Sequence, residues 1–318
     1  VLKSDLLQVA FVTGELGSGK TRLLTELNNY VRERAAIINC HSSMAHIQDP
    51  YFLFAKGVSD YIGKIGIDNL GLSGVFSRIS PLELVQLSRI VPPIAQLLNR
   101  PIAPEADDIK ARFLLFKGFL DFLIELNKNQ PVLILFDDIQ WIDKDSLELL
   151  RYLYMQEKNK RIFIACAYDE DKFSQRTDDF GLKALLEDIR FKDNFIQLEL
   201  KDLSFEDTSA MIEAIFAGIE ASKEFYELIY DVTRGRPSFI EEVLKLLVEE
   251  SVISYQDNRW QIKKSLSKQD IPSSMEEVIK KRVKNLDEET KEMIVQAAVI
   301  GEDFSLGLLK KLYNKYEG

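Results

Sequence analysis

The feature that most constrains this chain is the string TGELGSGKTRLL at residues 13–24. It follows a short apolar, β-prone run, VAFVT at residues 9–13, read as a buried strand. It precedes an amphipathic stretch with Leu23, Leu24, Leu27 and Val31 on one face, read as a helix. Gly14, Glu15, Leu16, Gly17, Ser18, Gly19, Lys20 and Thr21 fit G-x-x-x-x-G-K-[ST] without exception. The physical reason for the spacing is a phosphate. Glycines let the loop take dihedrals closed to other residues, so that successive N–H groups point inward around an anion. The start of the following helix adds partial positive charge. Lys20 is expected to reach the β- and γ-phosphates, and Thr21 to offer its hydroxyl to magnesium. Arg22 comes next and, with Arg234 and Arg236, is a candidate phosphate partner. For each of these arginines the alternative is a surface or structural role.

A strand–loop–helix of this kind calls for a second part, an acidic residue that ends a buried strand. Residues 132–138, VLILFDD, supply it. Near-continuous apolar runs suit the middle of a parallel sheet covered on both faces. Asp137 is expected to hold magnesium, and Asp138 to orient or deprotonate an attacking water. The alternative is that the pair only caps the loop before the next helix. For the base, the guanine-reading N-K-x-D pattern finds only Asn127-Lys128-Asn129-Gln130, which lacks the aspartate and precedes the acidic strand. Adenine is therefore favoured.

The remaining pattern supports an α/β layer. Strands are expected at residues 36–39, 161–167 and 195–200, and a strongly apolar helix at 113–126. Another helix opens near Ser146, with Asp143 or Asp145 as its cap. Residues 45–110 form a long segment of mixed helical pattern broken at residues 62–74, 92–93 and 101–104. Alternation of strand and helix to about residue 200 predicts a doubly wound parallel sheet. Beyond Leu203 the pattern turns helical. Ser204 with Asp207 resembles a capping box, and Pro237 fits the first turn of a helix over 237–250. A small hairpin is expected at 251–262, turning at Gln256-Asp257-Asn258, and helix resumes from Ile271. The domains expected are a core over 1–203, a helical domain with a small hairpin over 204–270, and a further helical piece over 271–318.

Composition narrows the function classes. The 318 residues carry a formal charge of −10, which argues against broad binding to nucleic acid. The basic run at 280–284, KKRVK, reads as a solvated helix face. Two cysteines, Cys40 and Cys166, make no disulfide framework and read as buried small hydrophobes of a reducing cytoplasm. Cys40, His41 and His46 lack a companion ligand cluster, so a metal centre there is not expected. There is no membrane-length apolar run and no signal peptide. The first strand begins almost at once and the last residues stop within a helical pattern, as expected for an excised piece of a longer protein.

Four strings in order resemble a known class: GELGSGKTRLL, PVLILFDDIQWIDKDSLELLRYL, VTRGRPSFIEEVLKLLVEESVI and IPSSMEEVIKKRVKNLDEETKEMIVQAAVIGEDF. They are similar to the signal-transducing ATPases with numerous domains, the STAND class. More narrowly they resemble the AAA-type modules of large LuxR-type transcription activators and of multidomain kinases and cyclases. The D-D-x-Q-W-x-D string and the G-x-P element at Gly235-Arg236-Pro237 carry most of that likeness. The resemblance implies a P-loop core, a helical lid and the start of a winged helix near Ile271. It implies ATP or ADP with Mg2+, Pro237 near the adenine, and exchange that switches other domains of the longer chain or a signalling partner. A nucleotide-dependent oligomer is a further expectation, as is an active motor or loader of the AAA+ kind as the alternative function. DNA binding by this piece is not expected. One departure stands out. Related modules continue the strand RIFIACA with tyrosine and arginine, whereas Tyr168 is followed here by Asp169, which would repel a γ-phosphate if it pointed inward. Slow hydrolysis is the consequence expected.

Overall fold

The computed structural model describes residues 7–70, 74–98, 108–156, 161–175, 181–191, 194–300 and 306–313. The chain divides into two units. One takes in Val1–Gly14 and Lys20–Glu199, the other Glu15–Gly19 and Leu200–Gly318.

The first unit begins with β1 (Gln8–Thr13), α1 (Lys20–Val31) and β2 (Ala36–His41). Helices α2 (Phe52–Ile65), α3 (Ile67–Leu70), α4 (Pro81–Ile90), α5 (Pro92–Leu98) and α6 (Asp108–Asn129) follow. Then come β3 (Val132–Asp137), α7 (Lys144–Tyr154), β4 (Ile162–Tyr168), α8 (Glu170–Gln175), α9 (Leu182–Arg190) and β5 (Phe195–Glu199). The expected strands are all present. The second runs two residues past the reading of 36–39, to His41, and α6 extends both ends of the reading of 113–126. The expected proline break at 101–104 lies outside the described residues.

The five strands form one parallel sheet in the order β2-β3-β4-β1-β5. This is the doubly wound α/β arrangement expected of a P-loop fold. β4 separates the loop-bearing β1 from the acidic β3. Register then decides which chemistry meets. Thr13 lies opposite Tyr168, Phe136 opposite Cys166, and His41 opposite Asp137. The carboxyl ends of four adjacent strands thus share one edge, where open parallel sheets offer a ligand crevice.

The centre of the sheet is covered, while the edge strand β5 is largely exposed. Phe11, Val132, Phe136 and Ile139 have no exposed surface, and burying an apolar side chain of that size stabilises by roughly 1.5–3 kcal/mol each. Phe54 of α2 meets Phe136 edge-on with ring centroids 5.3 Å apart, and meets Phe119 of α6 at 5.6 Å. Cys40 and Cys166 are free and buried in this core, where desolvation pushes both thiols well above their ordinary pKa. They are inert hydrophobes, as their isolation in the sequence suggested.

The second unit holds α10 (Phe205–Ile215), α11 (Lys223–Thr233), α12 (Pro237–Glu249), a hairpin of β6 (Ile253–Gln256) and β7 (Arg259–Ile262), then α13 (Met275–Lys284), α14 (Glu288–Ile300) and α15 (Leu306–Tyr313). Ser204 caps α10 by accepting from the Asp207 N–H at 3.0 Å. The hairpin turns on Asp257 and Asn258, both left-handed at φ 50° and 63°, the pair of dihedrals a two-residue turn needs. Ile212, Ile229, Ile240, Val243 and Ile253 form a separate core with no exposed surface. Helix α13 anchors to it through Val278, its one buried residue.

Candidate functional site

The loop after β1 is built for close backbone approach. Gly17 takes φ +83°, and a Cβ there would stand 2.0 Å from Ser238 Oγ. Its carbonyl accepts from the Ser238 N–H at 3.2 Å, so within the second unit the loop is tied to the first turn of α12. The Ser18 N–H donates to the Glu15 carbonyl at 3.2 Å. The Ser18 hydroxyl is buried and, among the described residues, has no hydrogen-bond partner. An orphaned buried hydroxyl in a glycine-rich loop fits a polar ligand such as phosphate, because leaving such a group unpaired costs about 1–3 kcal/mol. The loop amides and Ser18 are donors of the kind that suit a phosphate.

Lys20 opens α1 and is 8% exposed. Its ammonium donates to the Gly14 carbonyl at 2.7 Å. Burial lowers its pKa, while the carboxylates of Asp169, Asp138 and Asp137 oppose that shift and the Lys172 charge adds to it. The charges of three carboxylates at the ends of β3 and β4 thus act on Lys20.

Asp137 ends β3, with its Oδ2 3.7 Å from the His41 Nδ1 on β2. Ligand atoms of His41, Asp137 and Asp138 all lie within 4.8 Å of one another. The two carboxylates suit a hard divalent cation, and the imidazole widens the choice. The grouping gives His41 a companion ligand cluster, which the sequence reading of Cys40, His41 and His46 did not expect. His41 joins the acidic edge, Cys40 goes into the core, and His46 pairs with Asp49 at 2.7 Å. The signal was the strand register, which composition and spacing do not carry.

Asp138 adopts a left-handed backbone at φ 55°, uncommon for a residue with a side chain and kept only where the surroundings hold it. Its carbonyl accepts from the Ser42 hydroxyl at 2.6 Å and the Trp141 N–H at 2.9 Å. The Asp137 carbonyl also accepts from Ser42, from the N–H at 3.2 Å and the hydroxyl at 3.1 Å. The side chain accepts from the Gln140 amide, Nε2 to Oδ1 at 2.8 Å. Gln140 has no exposed surface, and its Oε1 accepts from the Asp169 N–H at 3.3 Å.

Asp169 follows β4 directly, at the position where the resemblance led to the expectation of an arginine. Its Oδ1 accepts from the N–H groups of Asp171 and Lys172 at 3.0 and 3.1 Å. The carboxylate therefore caps α8, which explains how a buried acidic group is tolerated there.

The other expected residues fall as follows. Thr21 is the exposed second residue of α1. Arg22 is turned to solvent and paired with Glu26 at 2.6 Å, away from the loop's own contacts. Pro237 is the first residue of α12. Gly235 takes φ +78°, and its carbonyl accepts from the Leu203 N–H at 2.8 Å. Arg236 pairs with Glu15 of the loop and with Asp202, so carboxylates rather than open solvent face its guanidinium. Arg234 is an exposed left-handed cap on α11. The basic run is spent on ion pairs: Lys280 with Glu276, Lys281 with Glu250, Arg282 with Glu242 and Glu249. Sequence reasoning missed His41, Ser42 and Gln140 as members of the site.

A profile of the AAA ATPase domain matches residues 2–164, half of the chain, from before β1 to within β4. The chain belongs to the AAA ATPase domain family. One curated relative is the peroxide stress-activated histidine kinase mak3 of Schizosaccharomyces pombe, 22% identical over 190 residues. The match takes in 58% of this chain and 8% of that kinase. Among solved structures, the chain is similar to a Walker-type ATPase of Pyrococcus abyssi at 12% identity and a TM-score of 0.45, covering 97% of this chain and 72% of that one. It is also similar to Cdc6p from Pyrobaculum aerophilum at 12% identity and a TM-score of 0.42, covering 77% and 57%. For this AAA ATPase domain, the family match extends over the loop, Lys20 and the acidic edge. It implies nucleotide, ordinarily with Mg2+. Among the described residues no helix is long and apolar enough to cross a membrane.

Proposed function

We propose that this chain is a nucleotide-dependent regulatory switch of a larger signalling protein, binding ATP or ADP with Mg2+ and hydrolysing ATP slowly. The observation that supports it best is the buried Lys20 at the head of α1, facing Asp137, Asp138 and Asp169 at neighbouring strand ends. In this reading the amides of Gly14 to Thr21, with Ser18, bind the phosphates, and Lys20 leaves the Gly14 carbonyl to neutralise the β- and γ-phosphates. Thr21 and Asp137 would hold the magnesium, which would supply Lewis-acid charge. Asp138 orients the attacking water and accepts its proton. Pro237 lies by the adenine. The slow step follows from charge: β4 ends in a capping aspartate where a cation would stabilise the equatorial oxygens. The kinship with a stress-activated histidine kinase agrees with a signalling context. We assign residues 1–203 to the core, 204–270 to the helical domain and 271–318 to the start of a winged helix.

Two measurements test this. Denaturing freshly purified protein and separating what it releases should yield stoichiometric ADP. Lys20→Ala should weaken ATP binding by roughly 10- to 150-fold in calorimetry, since charge-assisted hydrogen bonds contribute about 1.5–3 kcal/mol. Unchanged affinity would refute the assignment. Turnover that climbs with protein concentration would instead favour an oligomeric motor.

A further inference from the structure

Gln140 is a buried side chain that joins the ends of β3 and β4 through both of its polar atoms. It sits in the short turn Ile139–Trp141 that follows Asp138. Its Nε2 donates to Asp138 Oδ1 at 2.8 Å, and its Oε1 accepts from the Asp169 N–H at 3.3 Å. With no exposed surface, an amide here is costly unless both ends are satisfied. The geometry asks for a donor and an acceptor on one flexible side chain of this length. Methionine lacks the donor, lysine lacks the acceptor, and leucine lacks both.

Asp138 shows why that matters. Its backbone is already fixed by the Ser42 hydroxyl and the Trp141 N–H on its carbonyl. What stays open is rotation about χ1 and χ2. The bond from Gln140 closes that freedom by holding one carboxylate oxygen, and with it the direction of the other. The same side chain registers Asp138 against Asp169, whose carboxylate caps α8. A shift at the end of β4 is thereby carried to Asp138.

We propose that Gln140 is a positioning residue that aims the Asp138 carboxylate at the hydrolytic water, by tying it to the end of β4. This rests on the reading of the site as one that binds and hydrolyses ATP. Gln140 itself touches neither nucleotide nor metal in this scheme.

The test compares unmutated protein with Gln140→Leu, Gln140→Met and Lys20→Ala. ATP affinity is read by calorimetry, single-turnover hydrolysis at saturating MgATP, and folding by thermal unfolding. Positioning errors of about 1 Å cost on the order of 100-fold in rate. Gln140→Leu should therefore slow hydrolysis by about 10- to 100-fold while ATP affinity stays within about twofold. Gln140→Met keeps the side-chain length and a weak sulfur acceptor for the Asp169 N–H but has no donor for Asp138 in any protonation state, and should be as slow as the leucine variant. A Gln140→Met protein that hydrolyses at the unmutated rate would overturn the proposal, because the donor to Asp138 would then not be needed. Loss of affinity in step with rate would overturn it too, since the residue would act on binding. Hydrolysis in the unmutated protein that Lys20→Ala leaves intact would overturn the underlying reading, and the proposal with it, as would the absence of hydrolysis.

Discussion

Gly235→Ala should destabilise the second unit by about 2 kcal/mol. Gly235 holds φ +78°, and a Cβ built there lies 2.0 Å from the Leu203 carbonyl oxygen and 3.0 Å from its carbonyl carbon. Backbone cannot swing aside as a side-chain tip can, so the Leu203 N–H to Gly235 carbonyl bond of 2.8 Å must lengthen or break. A left-handed residue with a Cβ costs about 1–2 kcal/mol, and a lost hydrogen bond about 1 kcal/mol. Stiffening the unfolded chain returns about 0.4–1 kcal/mol, which leaves about 2 kcal/mol. Gly218→Ala is the control. It shares the left-handed backbone at φ +76°, but nothing lies within 4 Å of its Cβ, so only the dihedral cost remains and the net loss is under about 1 kcal/mol. The two tryptophans make the assay simple. Trp260 packs on Phe216 at 4.8 Å and on Tyr255 at 5.2 Å within the second unit, and Trp141→Phe silences the other. With a urea slope of about 2 kcal/mol/M, the Trp260 midpoint should fall by about 1 M for Gly235→Ala and by less than half of that for Gly218→Ala. Equal shifts for the two variants would refute the claim that the close approach of Leu203 is why glycine precedes Arg236-Pro237.

Asp143 is 3% exposed and accepts from the Ser146 N–H at 2.8 Å and the Tyr51 N–H at 2.9 Å. Asp143→Ala should cost about 2–3 kcal/mol by removing a helix cap and the partner that steadies the left-handed Tyr51, whereas Asp143→Asn should cost under about 1 kcal/mol; urea unfolding followed at Trp141 decides between them. Asp270 accepts from the Ser267 hydroxyl and N–H and from Lys264, which hold its carboxyl down from 3.8 to about 2. A carboxyl depressed in the folded state contributes stability that is fully present above 3.8 and is lost as pH falls through about 2, and a carbon-13 NMR titration midpoint near 3.8 would contradict this.

Most of the sheet was legible because its signals are local. The apolar run 132–136 reads as a central strand on its own, and β3 has five fully buried residues before Asp137. The loop motif names Lys20 and its flanking elements in one string. What could not be read was lateral order. His41 became part of the acidic edge because β2 continues to residue 41 and pairs in register with β3, and a polar strand end carries no periodicity to reveal that. Ser42 and Gln140 escaped for a related reason. Each looks like a loop residue in the sequence: Ser42 acquires its partners only once β2 is known to lie beside β3, and Gln140 only once β4 is.

The same lateral order bears on Asp169. Read as a string, an aspartate in place of arginine predicts repulsion at the phosphate end. In the fold the carboxylate is spent on two amides of α8, while its charge still acts on Lys20 alongside those of Asp137 and Asp138. Three negative charges against one buried ammonium leave the strand ends short of cations. An incoming divalent cation relieves that imbalance, whereas the phosphates alone would deepen it. Magnesium and nucleotide should therefore bind with mutual reinforcement, each strengthening the other by the same factor.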